Sequence, residues 1–483
     1  MSMDFFSEVS KENLRWLFGI YLILAAILVR SQWTNQRAIG LPLAYLFSLS
    51  LTHLFGCTPY CFDYYEPRSL IMTQMGNTLE STYHGFRMTV IGLASFVVGA
   101  LLAGNLSPRS LKPKTLNPHP QISTKLPGTL MLIGFAFFFV IGPIIRRIPS
   151  FASIASAGIF MTVVSVFLFC YLAYIRGDQK RFVRWLASTP GFPVVTIIFM
   201  GFASFGAAAA STVWMLVLRF FKPRWLGILA FGLIFFIGLT LFVNWMKNRE
   251  TMRASVWGKQ SIANRVTAFT DIFQNFTVFN FQRQEHLEWL DLRLNQNDLV
   301  GKAIIYTGGG KVPFAKGYTL WVAATAWIPR IIWPGKPASG GSGKVVSFHT
   351  GQTFGAGTSI GAGQVLELYV NFGTTSVIIG FALLGMTIGA VDLRAGFYLS
   401  HGDFWHATRW LLPGLGMINA GGLMGEVVAS FAANALFCWA LHKQFFAKFY
   451  EQGIFTSNTP HRRGSKSPRQ LAPNPHSVSS PRQ

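Results

Sequence analysis

The most constraining feature of this sequence is a series of apolar runs, each long enough to cross a lipid bilayer. The hydrocarbon core of a bilayer is ~30 Å thick, which an α-helix crosses in ~20 residues. Backbone polar groups inside lipid must be bonded within their own segment, so such runs form helices. The sequence therefore predicts an all-α polytopic membrane protein with about eleven transmembrane helices. The predicted spans are residues 16–30, 39–56, 88–104, 128–145, 152–174, 192–204, 208–220, 226–245, 374–391, 410–421 and 425–441.

The chain is strongly positive, but the distribution of its charge argues against nucleic-acid binding. Only 12% of the residues are charged, 51% are hydrophobic, and the formal net charge is +23. The Lys and Arg residues stand mostly at the ends of apolar runs, where topology signals and contacts with anionic lipids belong. We therefore expect membrane lipids, and no nucleic acid, among the partners.

The same residues predict an orientation. With the N-terminus outside, about 22 Lys and Arg residues fall on the cytoplasmic side and about 6 in short outside loops, which is the bias of the positive-inside rule. This count treats residues 193–221 as two short helices joined near Ser204–Gly206, because "MGFASFGAAAAST" is rich in small residues. A single long helix there would reverse the parity and move the large loop to the cytoplasm.

The predicted topology divides the chain into four parts. Residues 1–245 form an N-terminal transmembrane bundle, 246–373 a large periplasmic segment, and 374–441 the C-terminal transmembrane helices. Residues 442–483 form a basic cytoplasmic tail, disordered after about residue 456 because Pro, Ser and Arg replace apolar residues. The first apolar run has no small-residue cleavage site after it, which favours a retained signal anchor.

The four cysteines suggest no metal site. Cys170 and Cys438 lie in apolar runs and are expected to be small buried residues. Cys57 and Cys61 flank a Thr-Pro turn and lack the paired ligands of a zinc site. In an oxidising compartment the two would be able to form a small disulfide loop.

The large segment carries most of the polar information. "FQRQEHLEWLDLRLNQNDLVGKAIIY" is typical of a helix, "YTGGGKVPFAKG" of a loop, and "YTLWVAATAWI" of a short apolar helix that Pro329 ends. A glycine-rich stretch follows and places His349 in a flexible loop. "LELYVNFG" then stands at the mouth of the next span.

The motif "WIPRIIWPGKP" holds two cations in a stiff, aromatic stretch at the membrane boundary. Pro329, Pro334 and Pro337 restrict the backbone, which suits a preorganised site. The Arg330 guanidinium offers two parallel N–H donors suited to phosphate. The same sequence would equally suit an arginine that anchors the chain to lipid headgroups.

At this point the sequence resembles the O-antigen and oligosaccharide repeat-unit polymerases (Wzy-type), bacterial membrane proteins that lengthen lipid-linked glycans. "IPRIIWPGKP" is similar to the hallmark of that family, and "LRLNQNDLV", "GYTLWVAATAWIPR" and "LELYVNFG" are similar in type and order. Arg330 and Gly341 also share an Arg–Gly spacing noted in such polymerases. The resemblance covers about residues 280–395. Gly335 stands where the family usually has an acid, so no carboxylate role is expected there.

The resemblance implies a bacterial inner-membrane glycosyltransferase whose donor is a glycan on polyprenyl diphosphate and whose large loop is periplasmic. Clamping the departing diphosphate needs fixed positive charge, and the acceptor hydroxyl would be helped by a base. The catalytic candidates are Arg330, Arg293 and Glu367. The substrate-binding candidates are Lys336, Arg249, Arg253 and His349.

Each candidate also has a structural interpretation. Arg293 would equally pair with Glu285, Glu288 or Asp291 on a solvated helix face. Lys336 would serve rigid packing, and Glu367 would hold a loop by pairing with an arginine. Arg249 and Arg253 would form a juxtamembrane charge pair, which we favour for these two.

Neither a metal nor a cofactor is expected, because the sequence has no DxD and no His/Asp cluster with ligand spacing. Three other functions remain open: a flippase or transporter for lipid-linked glycans, a related O-antigen ligase, and a non-catalytic scaffold. A transporter should carry charges within its spans, where Glu426 is the main candidate. A chain-length regulator and a flippase are possible protein partners.

Overall fold

The computed structural model describes residues 8–69, 76–106, 125–145, 154, 156–273, 276–330, 332–337, 342–354 and 360–446. Every regular element in these ranges is helical. The N-terminal helices are α1 Lys11–Thr34, α2 Leu41–Cys61, α3 Leu79–Leu106, α4 Lys125–Ile145, α5 Ala157–Ile175, α6 Gln179–Ala187, α7 Gly191–Met200, α8 Ala203–Phe220 and α9 Arg224–Trp257. The remainder comprises α10 Ile262–Asp271, α11 Gln284–Leu294, α12 Gln296–Ala303, α13 Tyr318–Ala324, α14 Ser342–Thr350, α15 Gly363–Phe372, α16 Thr374–Ser400, α17 Phe404–Leu415 and α18 Met424–Leu441.

Ten helical stretches of the described chain are long and apolar enough to cross a membrane, which makes this a membrane-embedded, polytopic helical protein. They are α1 to α5, the joined Gln179–Met200, α8, α9, α16 and Met424–Gln444. The predicted span at 410–421 is not among them. It corresponds to α17, which has 12 residues and contains Pro413. Such a helix is about 18 Å long, too short for a ~30 Å hydrocarbon core.

The predicted division of residues 193–221 into two helices is confirmed. The chain reverses at Gly201, whose φ of 75° is readily adopted by glycine, and the Phe202 N–H donates to the Thr196 carbonyl at 3.4 Å. Trp214 then reaches back to the Thr189 hydroxyl at 3.1 Å. The break lies two to four residues before the predicted one. Helices α7 and α8 therefore run antiparallel, as the predicted parity requires.

The bundle has two distinguishable ends. At one, which we call the segment end, the Lys11 ammonium donates to the carbonyls of Phe62, Asp63 and Tyr65 at 3.0–3.2 Å. The helices of the large segment lie at this end, because α11 packs beside residues 55–65. At the other, which we call the opposite end, Arg224 at the start of α9 donates to the Trp33 carbonyl at 2.9 Å.

Asp392 on α16 fixes the turn between the first two spans at the opposite end. One of its oxygens accepts the backbone N–H groups of Ile39, Gly40 and Leu41 at 2.8–3.1 Å, and the carboxylate is fully buried. Helix α16 also packs closely along α3, where a Cβ at Gly385 would lie 2.2 Å from the Phe96 carbonyl oxygen. Small residues allow this close approach of two helices within lipid.

The large segment is a set of short helices rather than the predicted long helix and loops. Residues 284–303 form α11 and α12 with a break at Asn295, and a π-helical turn, Ile304–Gly308, follows. The short apolar helix α13 ends at Ala324, before Pro329. Part of the glycine-rich stretch is α14, so His349 lies at the end of a helix and not in a flexible loop. Residues 341 and 447–483, and with them the Arg–Gly spacing and the disordered tail, lie outside the described residues.

Cys57 and Cys61 are both free thiols in this structure. Cys57 is fully buried, and the Cys61 thiol donates to the Cys57 carbonyl at 3.8 Å. The disulfide loop that the sequence allows is therefore not formed here.

Candidate functional site

Helix α9 carries two of the predicted substrate-binding arginines past the end of its apolar run. The helix has 34 residues and continues without a break from the predicted span into the large segment. The Arg253 guanidinium lies over the rings of Phe202 and Trp257, 5.0 and 5.1 Å from their centroids. Such cation–π contacts hold a guanidinium in place without neutralising its charge.

Arg293 approaches these residues from α11, which a buried network holds in position. Asp291 accepts hydrogen bonds from the hydroxyls of Tyr60 and Tyr65 at 2.8 and 2.7 Å, and from the amides of Asn77 and Asn295 at 3.1 and 2.8 Å. Burial raises the pKa of the Asp291 carboxyl to about 6, although all four hydrogen bonds act against that rise. Residues two apart on a helix face in different directions, so this anchor leaves Arg293 on another face.

Two of the three acids that would make Arg293 part of a solvated charge pair are occupied elsewhere. Asp291 holds the network just described, and Glu288 accepts the backbone N–H groups of Arg68 and Ser69 at 3.0 Å each. The acid that acts electrostatically on Arg293 is instead Glu250. A simple charge pair within α11 therefore does not account for Arg293.

Arg249, Arg253 and Arg293 form what we call the arginine cluster. The pKa of Arg293 falls to about 10, first because surrounding protein atoms desolvate it and then because of the positive charges of Arg249 and Arg253. Glu250 opposes this shift and pairs with Arg249 at 3.3 Å, but its own side chain is 82% exposed. Three guanidinium groups and one carboxylate leave a net charge of +2, which an anion would stabilise.

Arg330 and Lys336 are joined within one turn of chain. The Lys336 ammonium donates to the carbonyls of Ala326 and Ile328, both at 2.8 Å, and is only 6% exposed. Arg330 donates to the Lys336 carbonyl at 3.0 Å. Burial, and then the charge of Arg330, lowers the pKa of Lys336. These contacts give Lys336 the packing role considered in the sequence analysis and hold the half-buried Arg330 in a closed turn; a diphosphate contact of either residue remains a prediction.

Glu367 lies where three helices meet. It is 2% exposed, and its Oε2 accepts the backbone N–H of Met424, the first residue of α18, at 2.5 Å. Thr319 on α13 also donates to it. Burial raises the pKa of Glu367 to about 7, against both hydrogen bonds and with a further rise from the negative charge of Glu426.

Asn371, one turn after Glu367, links the same helices. Its amide donates to the Thr319 hydroxyl at 2.7 Å and to the Glu367 carbonyl at 2.6 Å, while its carbonyl accepts the Gly317 N–H at 3.0 Å. The "GYT" that opens α13 is thus tied to the "ELYVN" of α15. These bonds hold Thr319, which in turn donates to the Glu367 carboxyl.

His349 has a more enclosed setting than the sequence predicts. It is 4% exposed, and its ring Nδ1 lies 3.1 Å from the Thr307 hydroxyl, which donates to the His349 carbonyl at 2.9 Å. Burial lowers the pKa of this histidine, which favours the neutral ring. Its role as a substrate-binding residue remains a prediction.

The structure forms two separate groups from residues that are remote in sequence: the arginine cluster, and an acid pair of Glu367 and Glu426. Gln296, three residues after Arg293, donates to the Gly421 carbonyl at 3.4 Å and so connects α12 to the turn before α18. Sequence analysis considered Glu426 only as a charge within a span and did not relate it to Glu367. No pattern in the sequence links the two, because the contact runs through Met424, whose N–H Glu367 accepts.

Within the described residues, no group of three or more His, Cys, Asp or Glu side chains is placed to hold a metal ion. The fold and the site together define a polytopic helical membrane protein with clustered arginines and a buried carboxyl at one end of its bundle.

The chain belongs to the family described as "Domain of unknown function (DUF8712)", whose model matches residues 48–401. That range contains all seven predicted site residues and stops before Glu426. No curated protein matches the chain, and no solved structure matches it.

Proposed function

We propose that this protein is a membrane glycan polymerase that transfers a glycan from polyprenyl diphosphate to an acceptor sugar hydroxyl. The observation that carries the proposal is the arginine cluster, in which Arg249, Arg253 and Arg293 meet from helices far apart in sequence. A diphosphate is the leaving group of such a reaction, and its negative charge grows as the bond to the sugar breaks. The resemblance of residues 280–395 to repeat-unit polymerases points to the same chemistry.

The cluster suits a leaving group more than a permanently bound anion. Its guanidinium groups are placed before any ligand arrives, two of them on one continuous helix and the third on a helix held by Asp291. Charges that are fixed in advance need little reorganisation as the transition state forms. They also offer paired N–H donors, which match phosphate oxygens better than an ammonium does.

Glu367 is the proposed base. As the donor's bond from sugar to diphosphate breaks, the acceptor oxygen forms the new glycosidic bond and its proton passes to the Glu367 carboxylate. A pKa of about 7 makes the carboxylate available at neutral pH while keeping it a better proton acceptor than an ordinary glutamate. The Met424 and Thr319 donors position the group.

The segment end is proposed to face the periplasm, with the opposite end and the C-terminal tail in the cytoplasm of a bacterial inner membrane. The Lys and Arg count supports this orientation. Helix α9 also starts among the basic residues of the opposite end and delivers Arg249 and Arg253 to the segment end. The donor's diphosphate would then lie at the outer membrane surface.

A second candidate is transport of the same lipid-linked glycan, and the acid pair favours it. Glu426 begins an apolar helix and raises the pKa of the buried Glu367, an arrangement that proton-coupled transporters use. A related ligase would use the same arginines and the same base. Both alternatives differ from a polymerase in their products.

The test is to incubate the purified protein with a lipid-linked repeat unit in liposomes and to resolve the products by length. A polymerase yields a ladder of longer lipid-linked glycans together with free carrier diphosphate. Arg249→Ala should suppress the ladder, whereas Arg265→Ala, a matched change on the neighbouring α10, should leave it intact. Movement of intact substrate across the bilayer without a ladder, or a single transfer to an acceptor without a lipid carrier, would contradict the proposal.

A further inference from the structure

A second group of arginines lies at the opposite end of the bundle, outside the site described above. Helices α5 and α6 form a hairpin there, and between them is a cavity of about 280 Å³. Arg176, Arg181 and Arg184 line the cavity together with the side chains of Asp178, Phe169 and Trp185. We call this the hairpin cavity.

Helix α6 is amphipathic and runs back along the end of α5, because Trp185 stacks on Phe169. Phe182 on its inner face is buried and stacks on Phe221, with ring centroids 5.4 Å apart and an angle of 4°. Lys180, Arg181 and Arg184 are exposed. Basic side chains at the end of an apolar span reach the level of the lipid headgroups.

The rim of the cavity is positively charged. Asp178 caps α6 through the Arg181 N–H at 3.0 Å and also binds the Arg181 Nε at 3.1 Å. Three arginines against this one carboxylate give a net charge of +2. A monovalent phosphodiester between the arginines would leave the rim still positive.

The floor of the cavity is apolar. The rings of Phe169 and Trp185 stack almost in parallel, 4.2 Å apart at 4°. Phe169 precedes Arg176 by seven residues of helix and hence lies about 10 Å deeper along α5. The hairpin cavity therefore has a charged mouth and an aromatic base, arranged along the membrane normal.

We propose that the hairpin cavity binds one anionic phospholipid, with its phosphodiester among the three arginines and an acyl chain along Phe169 and Trp185. Basic pockets between transmembrane helices are known to take anionic headgroups. The apolar floor favours a lipid over a free phosphate ion, because a phosphate ion has no apolar part to contact Phe169 and Trp185. A volume just below the ~300 Å³ of a drug-sized site fits a headgroup and not a whole lipid.

The test uses the full-length protein in detergent with phosphatidylglycerol, with phosphatidylcholine as the zwitterionic comparison, and counts retained lipids by native mass spectrometry. Arg184→Gln should weaken retention of phosphatidylglycerol about fivefold, the effect of one headgroup contact. Lys180→Gln removes the same charge one turn away, outside the cavity lining, and should change retention less than twofold. Equal losses in the two variants, or equal retention of the two lipids, would overturn the proposal.

A second measurement separates a lipid from a phosphate ion. Phosphatidylglycerol brominated on its acyl chain should quench tryptophan fluorescence, and Trp185→Phe should remove part of that quenching. Inorganic phosphate at 10 mM should not restore the fluorescence. Restoration by phosphate, or quenching unchanged in Trp185→Phe, would contradict a chain seated on the aromatic floor.

Discussion

The arginine cluster and the hairpin cavity each hold three arginines, but the protein treats the two sets differently. The cavity takes its arginines from nine consecutive residues, and all three side chains are exposed. The cluster takes its arginines from α9 and α11, and the Arg249 side chain is only 18% exposed. Desolvation and then repulsion therefore accumulate in the cluster and lower the pKa of Arg293.

This difference indicates where function has a cost in stability. Exposed arginines beside Asp178 remain solvated, so holding them together costs little. The clustered arginines persist because Asp291 fixes α11 and because aromatic rings hold Arg253. Such strained charge is typical of sites that act on ligands.

The largest expected effect concerns the compartments that the two sets face. In a variant without native cysteines, Lys311→Cys at the segment end should react fully with a membrane-impermeant thiol reagent in intact spheroplasts. Lys180→Cys beside the hairpin cavity should react only after the membrane is opened. The reverse pattern would mean that the segment end faces the cytoplasm. It would remove the basis for a periplasmic site.

Arg293→Ala should lower glycan extension by about 100-fold or more, the scale for losing one preorganised donor to a developing anion. Its thermal transition should not fall, because the substitution also relieves repulsion from Arg249 and Arg253. Arg184→Ala should leave extension within about twofold. Extension rates and melting temperatures of the two purified variants check both statements, and a destabilised but active Arg293→Ala would make the cluster a structural element.

The pH dependence of extension should follow Glu367. Because its pKa is about 7, the active carboxylate appears as pH rises through 7, and the rate should climb there to a plateau. Glu367→Gln should be about 100-fold slower with no such limb. Glu426→Gln removes a negative neighbour, so the limb should move to lower pH. If the limb lies at the same pH in Glu426→Gln as in the unaltered protein, Glu426 does not act on the pKa of Glu367.

The Glu367 carboxyl should also make the stability of the folded protein depend on pH. A glutamate whose pKa is raised by folding stabilises the folded state below its unfolded pKa, and this contribution is lost as pH rises through 7. The melting temperature of Glu367→Gln should therefore vary less between pH 5 and pH 8 than that of the unaltered protein.

The smallest expected effect concerns the ring beneath Arg253. Trp257→Leu keeps an apolar side chain at the end of α9 but removes one of two cation–π contacts. Because such a contact at a partly exposed site is worth about 0.5–1 kcal/mol, extension should fall about two- to fivefold. The measurement is the extension rate at subsaturating donor, with Trp225→Leu at the exposed start of α9 as control. Equal rates in the two variants would show that Phe202 alone positions Arg253.

Much of the fold follows from the sequence because lipid demands long apolar helices. Hydropathy located the spans, and the small residues near Gly201 revealed the hairpin of α7 and α8. The predicted span at 410–421 differs from the structure, where the helix ends at Leu415 with Gly416 as its C-cap; hydropathy does not register that end. The break at Asn295 was also missed, since the polar pattern continues across it.

The site was predictable as a set of residue types but not as an arrangement. A resemblance selected Arg293 and Arg330, whereas nothing in the spacing places Arg293 beside Arg249 and Arg253. Local sequence also gives no indication that the Lys336 ammonium turns back to the carbonyls of Ala326 and Ile328. Contacts between distant helices depend on how the whole bundle packs, which short motifs do not encode.

The Asp392 contact has a consequence for how the chain is made. The carboxylate that completes the first turn lies 351–353 residues after the N–H groups it accepts. At ~5–20 residues per second, a ribosome needs roughly 20–70 s to supply it. During that interval the turn between α1 and α2 depends on water or on the insertion machinery for its hydrogen bonds. A chain released before residue 392 can therefore enter the membrane yet cannot close its first turn, which distinguishes an unfinished copy from a finished one.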